Sequence, residues 1–126
     1  KRIFSTMANK KPSRGEFWLI NFDPTVGSEI KKTRPGLVIS SDALGILPLR
    51  IVVPITGWQT EFEPNIWHVR FSPDSGNGLK KESAGDLLQV KSLDEKRFVK
   101  KLGKASPAQI NEVLLSLLNV LEFEGD

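Results

Sequence analysis

The chain of 126 residues has no cysteine and a single histidine, His68. That excludes thiolate metal centres, a cysteine nucleophile, disulfide bonds and any mechanism that needs two imidazoles. No apolar run approaches the ~20 residues of a membrane-spanning helix. The opening KRIFSTMANKKPSR is basic but lacks the apolar stretch of a secretory signal, so the chain reads as cytoplasmic. No glycine-rich phosphate loop of the Walker or Rossmann pattern is present. Any chemistry must therefore come from Arg, Lys, Asp, Glu, Ser, Thr, one His, or a carboxylate-held Mg²⁺.

With 39% hydrophobic and 26% charged residues, the composition is that of one folded domain large enough to bury a core. The net charge of +3 favours a polyanionic partner only weakly, because the first 14 residues hold basic side chains and no acid. Without them the domain is slightly acidic, so a nucleic-acid site would have to be local. Met7 is the only methionine and begins MANKK, so residues 1 to 6 read as an addition ahead of the start. Residues 1 to 13 are expected to be a flexible basic tail and residues 14 to 126 a single domain.

Along that domain, EFWLINF (16 to 22) is apolar on both alternating sides, which predicts a strand buried on both faces. Asp23-Pro24 ends it. The loop VGSEIKKTRPG (26 to 36) follows, then GLVIS (36 to 40) as a second strand. RIVVPIT (50 to 56) is a third strand whose Pro54 implies an edge or a bulge. IWHVRF (66 to 71) is a fourth, SPDSGNGLKKESAGD (72 to 86) a polar loop, LLQVKSL (87 to 93) a fifth strand and RFVKKLGK (97 to 104) a short strand or turn. Ser106-Pro107-Ala108-Gln109 carries an N-cap, a first-turn proline and a capping-box glutamine. Ile110, Val113, Leu114, Leu117 and Leu121 then form one apolar helical stripe, with Leu118 beside it and Phe123 left over. Short strands with Gly/Pro turns before one amphipathic helix predict an α+β domain, a small curled antiparallel sheet or barrel capped by the helix.

Few residues stand out as chemical. Pro35 holds Arg34 extended, which suits its guanidinium to phosphate oxygens, although an arginine at a loop-to-strand junction is more often a surface charge. Thr56 at a strand end more commonly satisfies backbone. Gln89 is either a buried amide with backbone partners or a base-reading side chain. Asp86 and Asp94 read as turn residues, Trp58 and Trp67 as core or interface packing residues rather than base-stacking platforms, and His68 as packed or solvated.

The segments RGEFWLINFDPTVGSE, TRPGLVIS, IVVPIT and LLQVKSLDEKR, in that order and spacing, resemble the MazF/PemK family of toxin endoribonucleases from bacterial toxin-antitoxin pairs. The resemblance runs from about Arg14 to Phe123. It implies an SH3-like barrel of the CcdB/PemK type with a C-terminal helix, a homodimer, and metal-independent cleavage of single-stranded RNA (mRNA) with no cofactor. It also implies a MazE-like antitoxin whose C-terminal segment covers the RNA surface. Carried over by position, the catalytic arginine is Arg34 and the catalytic threonine Thr56. Gln89 falls at a base-approaching glutamine. The mobile loop spans Gly27 to Lys32, with Ser28 and Glu29 at its catalytic or lid positions and Gly27, Lys31 and Lys32 against RNA.

The implied reaction is attack by the substrate's 2′-hydroxyl, giving a cyclic phosphate and a 5′-hydroxyl. Arg34 would stabilise charge in the transition state, with protonation of the leaving oxygen a second task open to it, and Thr56 would bind the phosphate or the 2′-hydroxyl. Glu29 and a bound water are the candidate bases. The PemK-like branch has histidine in place of Ser28 and Arg and Asp in place of Asp86 and Leu88, which puts this chain with the chromosomal MazF-type toxins. A non-catalytic CcdB-like gyrase binder or an inactive RNA-binding SH3-like module is the alternative. The CcdB-like reading expects a Trp-Gly near the helix end, whereas this chain ends NVLEFEGD.

Overall fold

The double-sided apolar pattern of EFWLIN becomes β1 (Glu16–Asn21) in a computed structural model that describes residues 11–125. Phe17 joins a core with Leu37, Val53, Ile55, Phe71 and Val113, while Trp18, Ile20 and the following Phe22 join a second core with Val38, Val52, Leu93 and Phe98. Both faces of the strand are thus covered, as its alternation predicts. The turn before it is fixed by local bonds. Gly15, at φ +87°, donates to the Val38 carbonyl at 2.8 Å, and Arg14 donates to the Ile39 carbonyl. Glu16 accepts from the Trp18 indole at 2.8 Å and the Ser13 amide at 2.9 Å, and pairs with Lys101 at 3.1 Å. Partial burial pushes its carboxyl pKa up, but these three partners outweigh burial and hold it below the ordinary value.

The remaining strands are β2 (Thr33–Val38), β3 (Leu49–Gly57), β4 (His68–Phe71), β5 (Ser83–Asp86), β6 (Lys91–Asp94) and β7 (Phe98–Lys104). They form one antiparallel sheet in the order β4-β5-β3-β2-β1-β7, with β6 also on β3. The α+β expectation of a small antiparallel sheet with a C-terminal helix is met.

Three local expectations are corrected. β3 is neither an edge nor bulged. One side pairs with β2 without a register shift, and the other pairs with β6 through residues 49 to 52 and with β5 through 55 to 57. Pro54 falls between those two partners, where the ladder on that side is interrupted. The expected loop over 72 to 86 ends in β5, whose SAGD has low strand propensity and forms by pairing on both sides, with β3 and β4. The expected strand over 87 to 93 is split: Asp86 accepts from the Leu88 amide at 3.0 Å and caps a 3₁₀ turn, Leu87–Gln89, so β6 begins only at Lys91. Asp94 caps the next such turn in the same way, and both acids are turn residues as read.

The helix α1 (Pro107–Val120) starts with a complete capping box between Ser106 and Gln109. Ile110 and Val113 are buried and Leu114, Leu117 and Val120 pack on the first core. Leu121 does not continue the stripe, because it is the C-cap residue, where the chain leaves the helix, and it is exposed.

Residues 1 to 10 of the expected tail lie outside the described residues. Pro12, within its last part, is buried, and its carbonyl accepts from buried Arg50 at 2.9 Å. The same guanidinium donates to the Leu47 and Leu49 carbonyls, so its buried charge is well supplied with acceptors.

Candidate anion-binding site

Where the first core reaches the sheet surface it opens into a cavity of about 500 Å³. Its floor follows from register. Leu19, two residues beyond core Phe17 on the same face of β1, pairs with Lys100 of β7 on one side and Pro35 of β2 on the other. The β2–β3 ladder ends at Gly36 opposite Pro54, and Arg34 and Thr56 each lie two residues beyond that last pair. Both residues are half-buried and line the cavity. Arg34 Nε donates to the Lys31 carbonyl at 3.0 Å, which leaves its terminal nitrogens for another acceptor.

The opposite wall is the loop between β4 and β5. Asn77, fully buried, accepts from the Leu79 amide at 3.0 Å and donates to the Ser72 carbonyl at 2.9 Å. Gly78 sits at φ +71° against the Leu102 carbonyl, an approach that a Cβ would block. This pinning presents Lys80 and Lys81 to the cavity, across from Lys100. The lining thus holds the cations Arg34, Lys80, Lys81 and Lys100 and no carboxylate. None of these cations takes part in an ion pair among the described residues. A concave site with unpaired positive charge, hydroxyls and no acid is built to attract an anion with several oxygens.

Of the residues singled out in the sequence, the structure brings Arg34 and Thr56 together. Gly27, Ser28, Glu29, Lys31 and Lys32 lie on the exposed β1–β2 loop and do not line the cavity. That loop is ordered by its own bonds. Val26 donates to Glu29 Oε1 at 2.8 Å, and Lys32, at φ +70°, donates to Asp23 Oδ1 at 3.0 Å while its carbonyl accepts from Phe22. Gln89 also stands outside the cavity and spends its amide on backbone of this loop, accepting from Ile30 at 2.5 Å. Lys80, Lys81 and Lys100 were not legible as site residues. Their only sequence signal is a Lys pair after Gly-Asn-Gly-Leu and another Lys pair in a short strand, and both patterns are commonplace on protein surfaces.

Away from the cavity, His68 stacks on Phe62 at a centroid distance of 3.7 Å and approaches Asp86 at 3.9 Å. Burial lowers its pKa below the usual 6.5 and outweighs the opposing pull of Asp86. Trp58 is covered by the Arg70 guanidinium at 4.7 Å and by the edge of Phe62. Both are packing residues, as read.

Fold and site together define a small antiparallel β domain with a C-terminal helix and a cationic cavity between β2, β3 and the β4–β5 loop. The chain belongs to the family of PemK-like, MazF-like toxins of type II toxin-antitoxin systems, whose pattern matches residues 13–121. It is 32% identical over 110 residues to the endoribonuclease PemK of Escherichia coli, covering 86% of this chain and 80% of that protein. It is 28% identical over 106 residues to the endoribonuclease MazF9 of Mycobacterium tuberculosis, covering 79% and 87%. Among solved structures, MazF from Deinococcus radiodurans superposes with a TM-score of 0.74 at 26% identity, covering 89% of this chain and 97% of that one. Among the described residues no helix is long and apolar enough to cross a membrane.

Proposed function

We propose that this toxin is an endoribonuclease that cuts single-stranded RNA, with a sequence preference and without a metal, by attack of the substrate's own 2′-hydroxyl. The observation that carries this reading is the joint placement of Arg34 and Thr56 on the wall of a cavity that bears four cations and no carboxylate. The relatives named as endoribonucleases support the activity.

In this reading the scissile phosphate sits between Arg34 and Thr56. The guanidinium neutralises charge gathering on the pentacoordinate phosphorus, in a site where preorganised donors act at low cost. Thr56 orients a phosphate oxygen or the 2′-hydroxyl for in-line attack. Lys80 and Lys100 hold neighbouring phosphates. Glu29 would reach the reacting atoms only if the β1–β2 loop moved over the cavity, a motion in which Gly27, Lys31 and Lys32 would meet RNA and Ser28 and Glu29 would close the lid. Gln89 would then exchange loop contacts for a base. The protein acts in the cytoplasm as a homodimer and is restrained by a MazE-like antitoxin; solved MazE-MazF assemblies from Deinococcus radiodurans support the pairing.

The test is incubation of the purified protein with long single-stranded RNA in EDTA, followed by identification of the new ends. Cyclic phosphate and 5′-hydroxyl termini are expected. Intact RNA under all conditions would leave a binding module, and cutting only with added metal would refute the mechanism.

A further inference from the structure

A glutamine amide has a donating end and an accepting end, and a base meets whichever end the surroundings leave outward. In Gln89 every contact fixes the same orientation. Its Nε2 donates to Asp86 Oδ2 at 3.3 Å and to the Ser28 carbonyl at 3.4 Å, and its Oε1 accepts from the Ile30 amide at 2.5 Å. A carboxylate and a carbonyl only accept and a backbone N–H only donates, so turning the amide over would mismatch all three. We infer that Asp86 is a positioning residue that keeps the Gln89 carbonyl oxygen outward, so that Gln89 selects an RNA base with an exocyclic amino group, adenine or cytosine, over guanine or uracil. This rests on the endoribonuclease reading above and on the base contact given there to Gln89.

Two of the three contacts belong to the β1–β2 loop and are lost when that loop moves over the cavity. The Asp86 contact is not. Asp86 caps the 3₁₀ turn that Gln89 ends, so the two side chains stay together whatever the loop does. The carboxylate is itself held: Oδ1 accepts from the Leu88 amide at 3.0 Å, which leaves Oδ2 to Gln89. His68, its partner across the β4–β5 ladder, brings Nε2 to 3.9 Å from that same Oδ2. Register also sets the pair beside the reaction. Thr56 pairs with Ala84, and Asp86 lies two residues further along the same face of β5, a diagonal neighbour of Thr56 at roughly 7–8 Å between Cα atoms. The base that Gln89 meets therefore belongs to a nucleotide close to the phosphate held at Thr56.

A glutamine with both ends free can bind adenine through two hydrogen bonds or turn over to suit another base. With Nε2 committed to Asp86, Gln89 offers only an acceptor. The amino groups of adenine and cytosine donate to it, whereas guanine and uracil carry carbonyl oxygens at the corresponding positions and oppose it lone pair to lone pair.

The experiment maps cut sites on a long RNA of mixed sequence for the wild-type protein and for Gln89→Ala. The position whose base preference disappears in the variant is the one that Gln89 reads, and adenine or cytosine is expected there. In Asp86→Asn the amide oxygen still accepts from Leu88 and an NH₂ group replaces Oδ2, so Gln89 turns over in the RNA complex. Preference at that one position is expected to move toward guanine or uracil by about 10-fold or more, with the other positions unchanged. A slower Asp86→Asn with unaltered preference would show a structural role and overturn the assignment. Guanine or uracil at the wild-type position, or no position that depends on Gln89, would overturn it too. The wild-type protein alone gives a second test that needs no variant to fold. Replacing the adenosine at that position by purine riboside, or the cytidine by 2-pyrimidinone riboside, removes only the amino group and is expected to slow cutting by about 10-fold or more. Equal cutting of both oligonucleotides counts against the proposal. If the wild-type protein yields no cut sites, the endoribonuclease reading fails and this inference falls with it.

Discussion

Gln89 Oε1 accepts the backbone amide of Ile30 at 2.5 Å, a bond between a 3₁₀ turn and the β1–β2 loop across 59 residues of sequence. Its Nε2 also donates to the Ser28 carbonyl at 3.4 Å and to Asp86 Oδ2 at 3.3 Å. The side chain therefore clips the tip of an otherwise exposed loop in the free protein. Gln89→Ala is expected to speed hydrogen exchange at the Ile30 amide while lowering global stability by no more than about 1 kcal/mol. Unchanged protection at Ile30 would contradict the clip.

Arg34 and Thr56 both line the cavity. Arg34→Ala is expected to lose roughly 10²–10³ in cleavage rate, the usual effect of removing one preorganised donor. Arg34→Lys should recover little of it, because a point charge does not replace the planar fork. Thr56→Val, which keeps the branched shape and removes the hydroxyl, should also lose activity. Thermal unfolding of each variant should stay close to wild type, and near-normal cutting by Arg34→Ala would remove it from the site.

Gly103 of β7 lies against the backbone of Gly76 and Asn77, with no room for a Cβ, and the adjacent Lys104 amide bonds the Gly76 carbonyl at 2.8 Å. The obstacle is main chain, which cannot swing aside as a side-chain tip would. Gly103→Ala is expected to cost about 1–3 kcal/mol in urea unfolding. Because the displaced loop also carries Lys80 and Lys81, RNA cleavage measured well below the unfolding midpoint should fall too.

The buried imidazole of His68 predicts a pH dependence. Burial holds its pKa below 6.5 in the folded state, so the unfolded chain takes up a proton at a pH where the folded one does not. The stability this confers is present above pH 6.5, declines as pH falls below it, and levels off once the folded imidazole is protonated as well. His68→Phe keeps a ring on Phe62 and removes the titration. Urea denaturation between pH 7 and 5 should show a shallower decline for the variant than for the wild type.

Much of the architecture was legible because it depends on neighbours in sequence. The capping box at Ser106, the first-turn Pro107 and the apolar stripe of α1 act within a turn or two of helix, and the double-sided pattern of residues 16 to 22 specifies a covered strand whatever covers it. The ordered motifs around Arg14, Arg34, Thr56 and Gln89 likewise carried the family resemblance from the chain alone. Other features depend on partners distant in sequence. SAGD becomes β5 only because β3 and β4 offer edges on both sides, and Pro54 is tolerated inside the sheet only because β3 changes partner there.

The site divides in the same way. The sequence by itself made Arg34 a candidate, through the extended conformation Pro35 imposes on it and through the family resemblance of the motifs around it. Only the tertiary structure decided that Lys80, Lys81 and Lys100 share its cavity, that Lys81 rests on Gly57, and that Gln89 holds the loop. The physical reason is that a lysine's function depends on what surrounds its ammonium. Those surroundings are assembled by strand register and loop pinning over tens of residues, beyond the range of any local pattern.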